Sequence, residues 1–334
     1  MKRIMIILLA FTVIFLLVGC GSSDTSQDPQ TPPSQSGQER ARLLLGTSSV
    51  GGTYYALGGG WAKVMNDNID DVEVSVEVTG GPNTNIQLIE QGDMELGFAT
   101  TWLAGEAFTG TGWAEGQKYT EFRSMFPMYS SVLHIYALKS SGIDSIYDLA
   151  GRNVSVGAPG ATSDLAGRAV LEALGIVPNN IASLPSDAQI NSLKDGTIDA
   201  CFTITGLPGP FMLDLETTHE VQFIPLEQED IDKILEAYPF WAQGVIPDKT
   251  YKHQTGDVPV LTFWNMCICD KDLDPNLVYD LVKATFDNHD DLVAVDATAK
   301  GISAENAAAC TAPFHPGALK YFQEVGISIP DKLK

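Results

Sequence analysis

Two stretches of this 334-residue chain place glycines and hydroxyl side chains directly ahead of helix-forming sequence. One is Gly46-Thr47-Ser48-Ser49-Val50-Gly51-Gly52-Thr53-Tyr54-Tyr55; the other is Gly157-Ala158-Pro159-Gly160-Ala161-Thr162-Ser163. A helix N-terminus offers unpaired N–H groups and a partial positive charge, which suit a carboxylate or a phosphate. Glycine lets a ligand approach the backbone, and Ser and Thr hydroxyls add directed donors. Taken singly, each loop also reads as a capped turn. Two of them, one in each half of the chain, point to a shared cleft.

Other chemistry is missing from the motifs. Neither loop carries the Gly-Lys-Ser/Thr of a phosphate-binding loop, and Gly58-Gly59-Gly60 falls inside a helix, where close packing is its expected use. There is no Gly-x-Ser-x-Gly elbow and no His-Glu-x-x-His pair. The histidines at 134, 219, 253, 289 and 315 are scattered. His134, in the apolar run Val132-Leu133-His134-Ile135-Tyr136, reads as a core or hinge histidine, and His315-Pro316 as a turn feature. Beyond the N-terminal segment the arginines are 40, 42, 123, 152 and 168, none placed as an obvious carboxylate clamp. An anion would therefore be met by helix ends, backbone N–H groups and hydroxyls. The expected metal and cofactor complement is none, and the chain is not expected to be an enzyme. Cys267-Ile268-Cys269 lacks the partner pair of a metal site and reads as two buried thiols on one face of a strand.

These loops need scaffolding. Residues 42–47 read as a buried strand and 53–66 as a helix with Thr53 as its N-cap. Val72, Val74, Val76 and Val78 alternate with polar residues, a half-buried strand. Gly80-Gly81-Pro82 breaks it, 83–90 is helical and 96–100 is a further strand. This alternation is that of a parallel sheet covered by helices. It restarts after Ser140: a short helix at 145–149, a strand at 153–157, a helix at 163–174, then strands at 198–204 and 221–225. A long helix is expected over 273–292, with Pro275 at its start.

Composition limits the function classes. Hydrophobic residues make up 44% and charged residues 19%, enough apolar surface for sizeable cores. A net charge of −22 argues against nucleic acid as a partner. Five cysteines are too few for a disulfide scaffold. Met1-Lys2-Arg3 is followed by an uncharged run from Ile4 to Val18, shorter than a membrane span and fitting a signal-peptide core. Leu17-Val18-Gly19-Cys20 resembles a bacterial lipobox, which implies cleavage after residue 19 and lipidation of Cys20. Cleavage removes two basic residues and no acid, taking the charge to −24. Residues 20–39, made almost wholly of Gly, Ser, Asp, Thr, Gln and Pro, read as a flexible tether.

Several spaced motifs resemble the TAXI family, the solute-binding proteins of TRAP (tripartite ATP-independent periplasmic) transporters. They are Val50-Gly51-Gly52-Thr53-Tyr54-Tyr55, Thr79-Gly80-Gly81, Leu149 to Gly160, Leu193 to Ala200, Tyr238-Pro239-Phe240 and His315-Pro316-Gly317-Ala318-Leu319. The resemblance covers residues 41–326. It implies an α/β type II periplasmic-binding-protein fold: two α/β lobes, a hinge and an interlobe ligand cleft. Lobe 1 would be 41–139 plus 246–334, and lobe 2 would be 140–245. The implied ligand contacts are Ser48, Gly52, Thr53, Tyr54, Thr101, Trp102, Gly160, Ala161, Thr162, Ser163, Thr205 and Gly206. The sequence departs from the family pattern at Thr100-Thr101-Trp102, where Gln, a small polar residue and Asp are expected. The implied ligand is a small organic anion, either a glutamate-like amino acid or a dicarboxylate. The implied partners are TRAP membrane permease subunits and, through the lipid, the membrane. The receptor is expected to be an extracytoplasmic monomer. A receptor for an ABC importer or a sensor would share the fold, and an enzyme built on type II lobes is the further alternative.

Overall fold

The computed structural model describes residues 40–238 and 241–334. The expected leader, Cys20 and the expected tether, with Pro239-Phe240, lie outside the described residues. The chain opens with β1 (Ala41–Gly46), α1 (Thr53–Asn68), β2 (Val72–Glu77), α2 (Pro82–Gln91), β3 (Leu96–Thr100) and α3 (Thr101–Thr109). The long strand β4 (Phe122–Leu138) follows. A second α/β run comprises β5 (Asn153–Ser155), α4 (Thr162–Ala173), β6 (Asn180–Ala182), α5 (Ser186–Lys194), β7 (Ala200–Thr205), α6 (Pro210–Thr218), β8 (Val221–Phe223) and α7 (Gln228–Ala237). The chain returns through β9 (Ala242–Ile246) and β10 (Val258–Asp270), and closes with α8 (Pro275–Asp287), α9 (His289–Val295) and α10 (Pro316–Glu324).

One sheet runs through the molecule in the order β2-β1-β3-β10-β4-β7-β5-β6, with β8 on β4 and β9 on β10. β1 pairs in parallel with β2 and β3, and β5 pairs in parallel with β6 and β7. Each half therefore has the same plan: first strand in the middle, second outside, third inside. β10 is antiparallel to β3, β4 is antiparallel to β7, and β10 and β4 pair with each other, joining the halves.

The apolar residues divide into cores that follow this plan. One is built from 43–129 and 266–333, including Leu45, Trp61, Phe98, Phe126 and Phe322. The others draw on residues 132–263. The division falls within β4 and β10, so these two strands serve both halves. The boundaries expected at 139/140 and 245/246 fall at the ends of β4 and β9.

Local corrections have simple causes. The helix expected over 273–292 is two helices meeting at Asn288; Asp274 caps the first through Asn276 N (2.8 Å), and Pro275 follows at the first helical position. Gly58 and Gly60 allow close packing, since a Cβ there would meet Thr47 Cγ2 at 2.6 Å and Val295 Cγ1 at 2.5 Å. β4 and β10 carry no clear alternation because most of their residues on both faces are buried. Pro127 in β4 is tolerated beside a register shift between Trp264 and Met266.

Candidate functional site

In both halves the carboxyl end of a parallel strand runs into a helix N-terminus, and these junctions meet at one cavity. Gly52, Thr53 and Tyr54 bring the start of α1, Gly80 and Pro82 that of α2, and Thr100 caps α3. From the other half, Ala161, Thr162 and Ser163 bring the start of α4, Ser186 that of α5, and Phe211 that of α6. Crevices beyond the carboxyl ends of parallel strands are the usual ligand sites of open α/β sheets. The remaining wall comes from the strands shared by the halves: Tyr129 and Ser131 on β4 and Asn265 on β10. The space enclosed is about 70 Å³.

The lining is polar but uncharged. Among the described residues it contains no Asp, Glu, Lys, Arg or His. The helix ends supply the electrostatics instead. At α1, α2, α4, α5 and α6 no side chain caps the first turn, and at α3 the bond from Leu103 N to Thr100 Oγ1 is long, 3.5 Å. Their free N–H groups and dipole ends favour negative charge at the centre.

Thr53, expected as the N-cap of α1, is its first helical residue; Gly52 is the cap. The Thr53 hydroxyl crosses between the halves. Its Oγ1 lies 2.7 Å from Thr205 Oγ1 and accepts from Gly206 N at 3.1 Å. Gly81 faces Ala161 across the same gap: a Cβ on Gly81 would stand 3.6 Å from that of Ala161.

Buried polar side chains hold the loops. Asn85 on α2 donates to Gly46 O (3.1 Å), Thr47 O (2.9 Å) and Phe98 O (2.8 Å), tying the ends of β1 and β3 together. Ser163 Oγ accepts from Ile204 N (2.8 Å), fixing the start of α4 to β7. Asn265 Nδ2 donates to Tyr129 O and Ser131 Oγ, both at 2.7 Å, and its Oδ1 accepts from Tyr54 OH at 2.5 Å. Burial raises the Tyr54 phenol well above its ordinary value, keeping it the donor. Gly81 (φ 107°) and Gly157 (φ 100°) adopt backbone that side chains disfavour, and a Cβ on Gly157 would press Ser163 Cβ at 2.6 Å.

Eight of the twelve residues expected as contacts line the cavity: Ser48, Gly52, Thr53, Tyr54, Ala161, Thr162, Ser163 and Thr205. Four do not. Gly160 N is turned to Asp164 Oδ2 (3.0 Å), and Gly206 meets the site through Thr53. Thr101 and Trp102 belong to α3, because Thr100 ends β3 and caps that helix at once. Their side is a separate groove with Trp264, Thr311 and Lys332. Trp102 packs edge-on against Trp241, ring centres 4.9 Å apart, and against Phe263 at 6.1 Å. Ser131, Ser186, Thr203 and Asn265 also line the cavity and are not among the expected contacts. A polar residue inside an apolar strand, as at Ser131 and Asn265, was the signal available for two of them.

His134 sits fully buried on β4. Its Nε2 is 2.8 Å from Tyr251 OH, which accepts from Gly209 N (2.8 Å), and its Nδ1 is 3.0 Å from Val132 O. Burial pulls the imidazole down to about 4. The four cysteines among the described residues are buried and free, with Cys267 and Cys269 in β10. No group of three or more His, Cys, Asp or Glu among the described residues could hold a metal ion.

Residues 45–326 match the NMT1-like family, and the chain belongs to that family. The fold is shared with solved structures of low sequence identity. The periplasmic binding protein BugD is 14% identical over 86% of this chain and 98% of its own, with a TM-score of 0.55. A structure described as a periplasmic transporter is 14% identical over 87% and 94%, with a TM-score of 0.52. A protein from Bordetella bronchiseptica RB50 is 17% identical over 88% and 91%, with a TM-score of 0.51. The chain thus has the mixed α/β fold of periplasmic binding proteins.

Proposed function

We propose that this member of the NMT1-like family is an extracytoplasmic solute receptor that captures a small organic anion between its halves and hands it to a membrane permease. The observation that carries the reading is the meeting of six helix N-termini, three from each half, at a cavity with no charged side chain. Such a site attracts an anion through dipoles and N–H groups and needs no cationic residue. A ligand touching both halves binds the closed arrangement better than an open one and shifts the population toward closure. Catalysis is disfavoured because the titratable lining groups are tyrosines, Tyr54 and Tyr129, both raised by burial and neither a base near neutral pH.

The finer reading is a TAXI-type receptor for a TRAP permease, held at the membrane by lipid on Cys20. The ordered motifs from Val50 to Leu319 and the leader ending in Gly19-Cys20 support it. A tether and a stable anchor would keep the receptor at high effective concentration near its permease. Mass spectrometry of small molecules released by denaturing the purified protein tests the receptor reading. An anionic solute in stoichiometric amount is expected. A cationic solute would refute anion capture by helix ends.

A further inference from the structure

The side chains around the cavity separate two ligand classes. An amino acid brings an ammonium group as well as a carboxylate, and the positive helix N-termini that favour a carboxylate disfavour an ammonium, which is best met by an opposing charge when buried. No carboxylate lines the cavity. Two nearby acids stand outside the lining and hold local structure. Asp164, in the first turn of α4, accepts from Gly160 N (3.0 Å), Arg168 Nε (2.9 Å) and Ser183 Oγ (2.8 Å). Asp296, close enough to influence Tyr129, accepts from Thr298 N (2.9 Å) and Thr298 Oγ1 (2.7 Å).

A second observation is independent of the helix ends. Tyr129 lines the cavity from β4 and is 3% exposed; its hydroxyl stands beside Ser131, whose Oγ accepts from Asn265 Nδ2 (2.7 Å), and makes no hydrogen bond of good geometry among the described residues. A buried hydroxyl without a partner is unfavourable unless something else meets it. Burial holds the phenol protonated, so the bond it can offer an anion is a donated one.

Resting on the receptor reading above, we propose that the ligand is a short-chain carboxylic acid without an ammonium group, and that the Tyr129 hydroxyl donates a hydrogen bond to it. The class includes unsubstituted, hydroxy and oxo acids. The small enclosed volume favours short chains. Of the two ligand types the motifs imply, this selects the dicarboxylate side and rejects the glutamate-like one.

Calorimetry on the whole protein tests the class with pairs that differ at the amino position: 2-oxoglutarate against L-glutamate, and L-malate against L-aspartate. L-Arginine and glucose serve as cationic and neutral probes. The amino-free member of at least one pair is expected to bind at least about tenfold tighter, since an unpaired buried ammonium is costly. Equal or tighter binding of the amino acid overturns the proposal. If arginine or glucose binds and no acid does, a solute-receptor role survives, while anion capture and this proposal both fall. If no probe binds, mass spectrometry of the solute released on denaturation decides. An amino-free acid supports the proposal, any other solute overturns it, and no solute at all sinks the receptor reading with it.

Tyr129→Phe tests the contact, using the tightest amino-free acid from that panel or the acid released on denaturation. Affinity is expected to fall at least about tenfold, as for loss of a bond to a charged group. Melting temperature is expected to stay or rise, because the hydroxyl removed makes no well-formed bond to the protein. Unchanged affinity overturns the Tyr129 assignment, whether or not stability changes.

Discussion

Replacing Thr53 by Val removes one hydroxyl and keeps the shape of the side chain. That hydroxyl makes two buried bonds between the halves, to Thr205 Oγ1 (2.7 Å) and from Gly206 N (3.1 Å). A typical net contribution is about 1 kcal/mol per bond, and a buried N–H left unpaired costs about 1–3 kcal/mol. A total near 2 kcal/mol is therefore expected. In the proposed open arrangement water reaches these groups, so the loss falls on the closed arrangement alone. At about 1.4 kcal/mol per tenfold, the closed-to-open ratio drops about 25-fold. Where the open form predominates without ligand, a ligand held only by the closed form loses affinity by a similar factor. Thr53 is not the cap of α1, so helix stability should hardly change. The assays are calorimetry with the solute identified by mass spectrometry, small-angle scattering with and without it, and thermal melting. The variant should show weaker binding and a larger mean radius at subsaturating solute, with a melting shift below about 4 °C. Affinity within about threefold of the parent, or about 0.7 kcal/mol, would refute the bridging role.

Asn85→Ala should cost about 3 kcal/mol in urea unfolding, because it strips partners from three buried carbonyls, Gly46 O, Thr47 O and Phe98 O; a loss under about 1 kcal/mol would remove Asn85 as the fastener of the first loop. His134 takes up a proton near pH 6.5 when unfolded but only near 4 when folded. Its contribution is therefore complete above the unfolded value and is lost as pH falls toward 4, by up to about 3 kcal/mol. His134→Gln should flatten that part of the stability–pH curve, and an unchanged slope contradicts a buried neutral imidazole. Gly81→Ala should lower stability by about 1–3 kcal/mol through its backbone conformation (φ 107°), measured by melting. Cys20→Ser should leave the precursor uncleaved or release soluble protein, as followed by membrane fractionation; unchanged processing and retention would reject the lipid anchor.

The residue string carried the repeating plan directly. Valines at 72, 74 and 76 alternating with polar residues, and Gly/Ser/Thr loops before helices at 53 and 162, follow from local geometry: a strand alternates every residue, and a helix start favours glycine or a short polar side chain nearby. The absence of a charged clamp in those loops could also be read there, since it depends only on residue types. The closing of the site could not. β4 and β10 are buried on both faces, so they show no period, and only their pairing reveals that they join the halves. Thr53 looks like a cap in sequence because capping is a local rule; its real partners, Thr205 and Gly206, lie more than 150 residues away. The family resemblance implies Trp102 as a cleft residue, yet Thr100 caps α3 at once and Trp102 packs against Trp241. Tyr129 and Asn265 become site residues only where two distant strands run side by side. Local bonding and periodicity are written in neighbouring residues, whereas a cavity between two halves is decided by contacts across the whole chain.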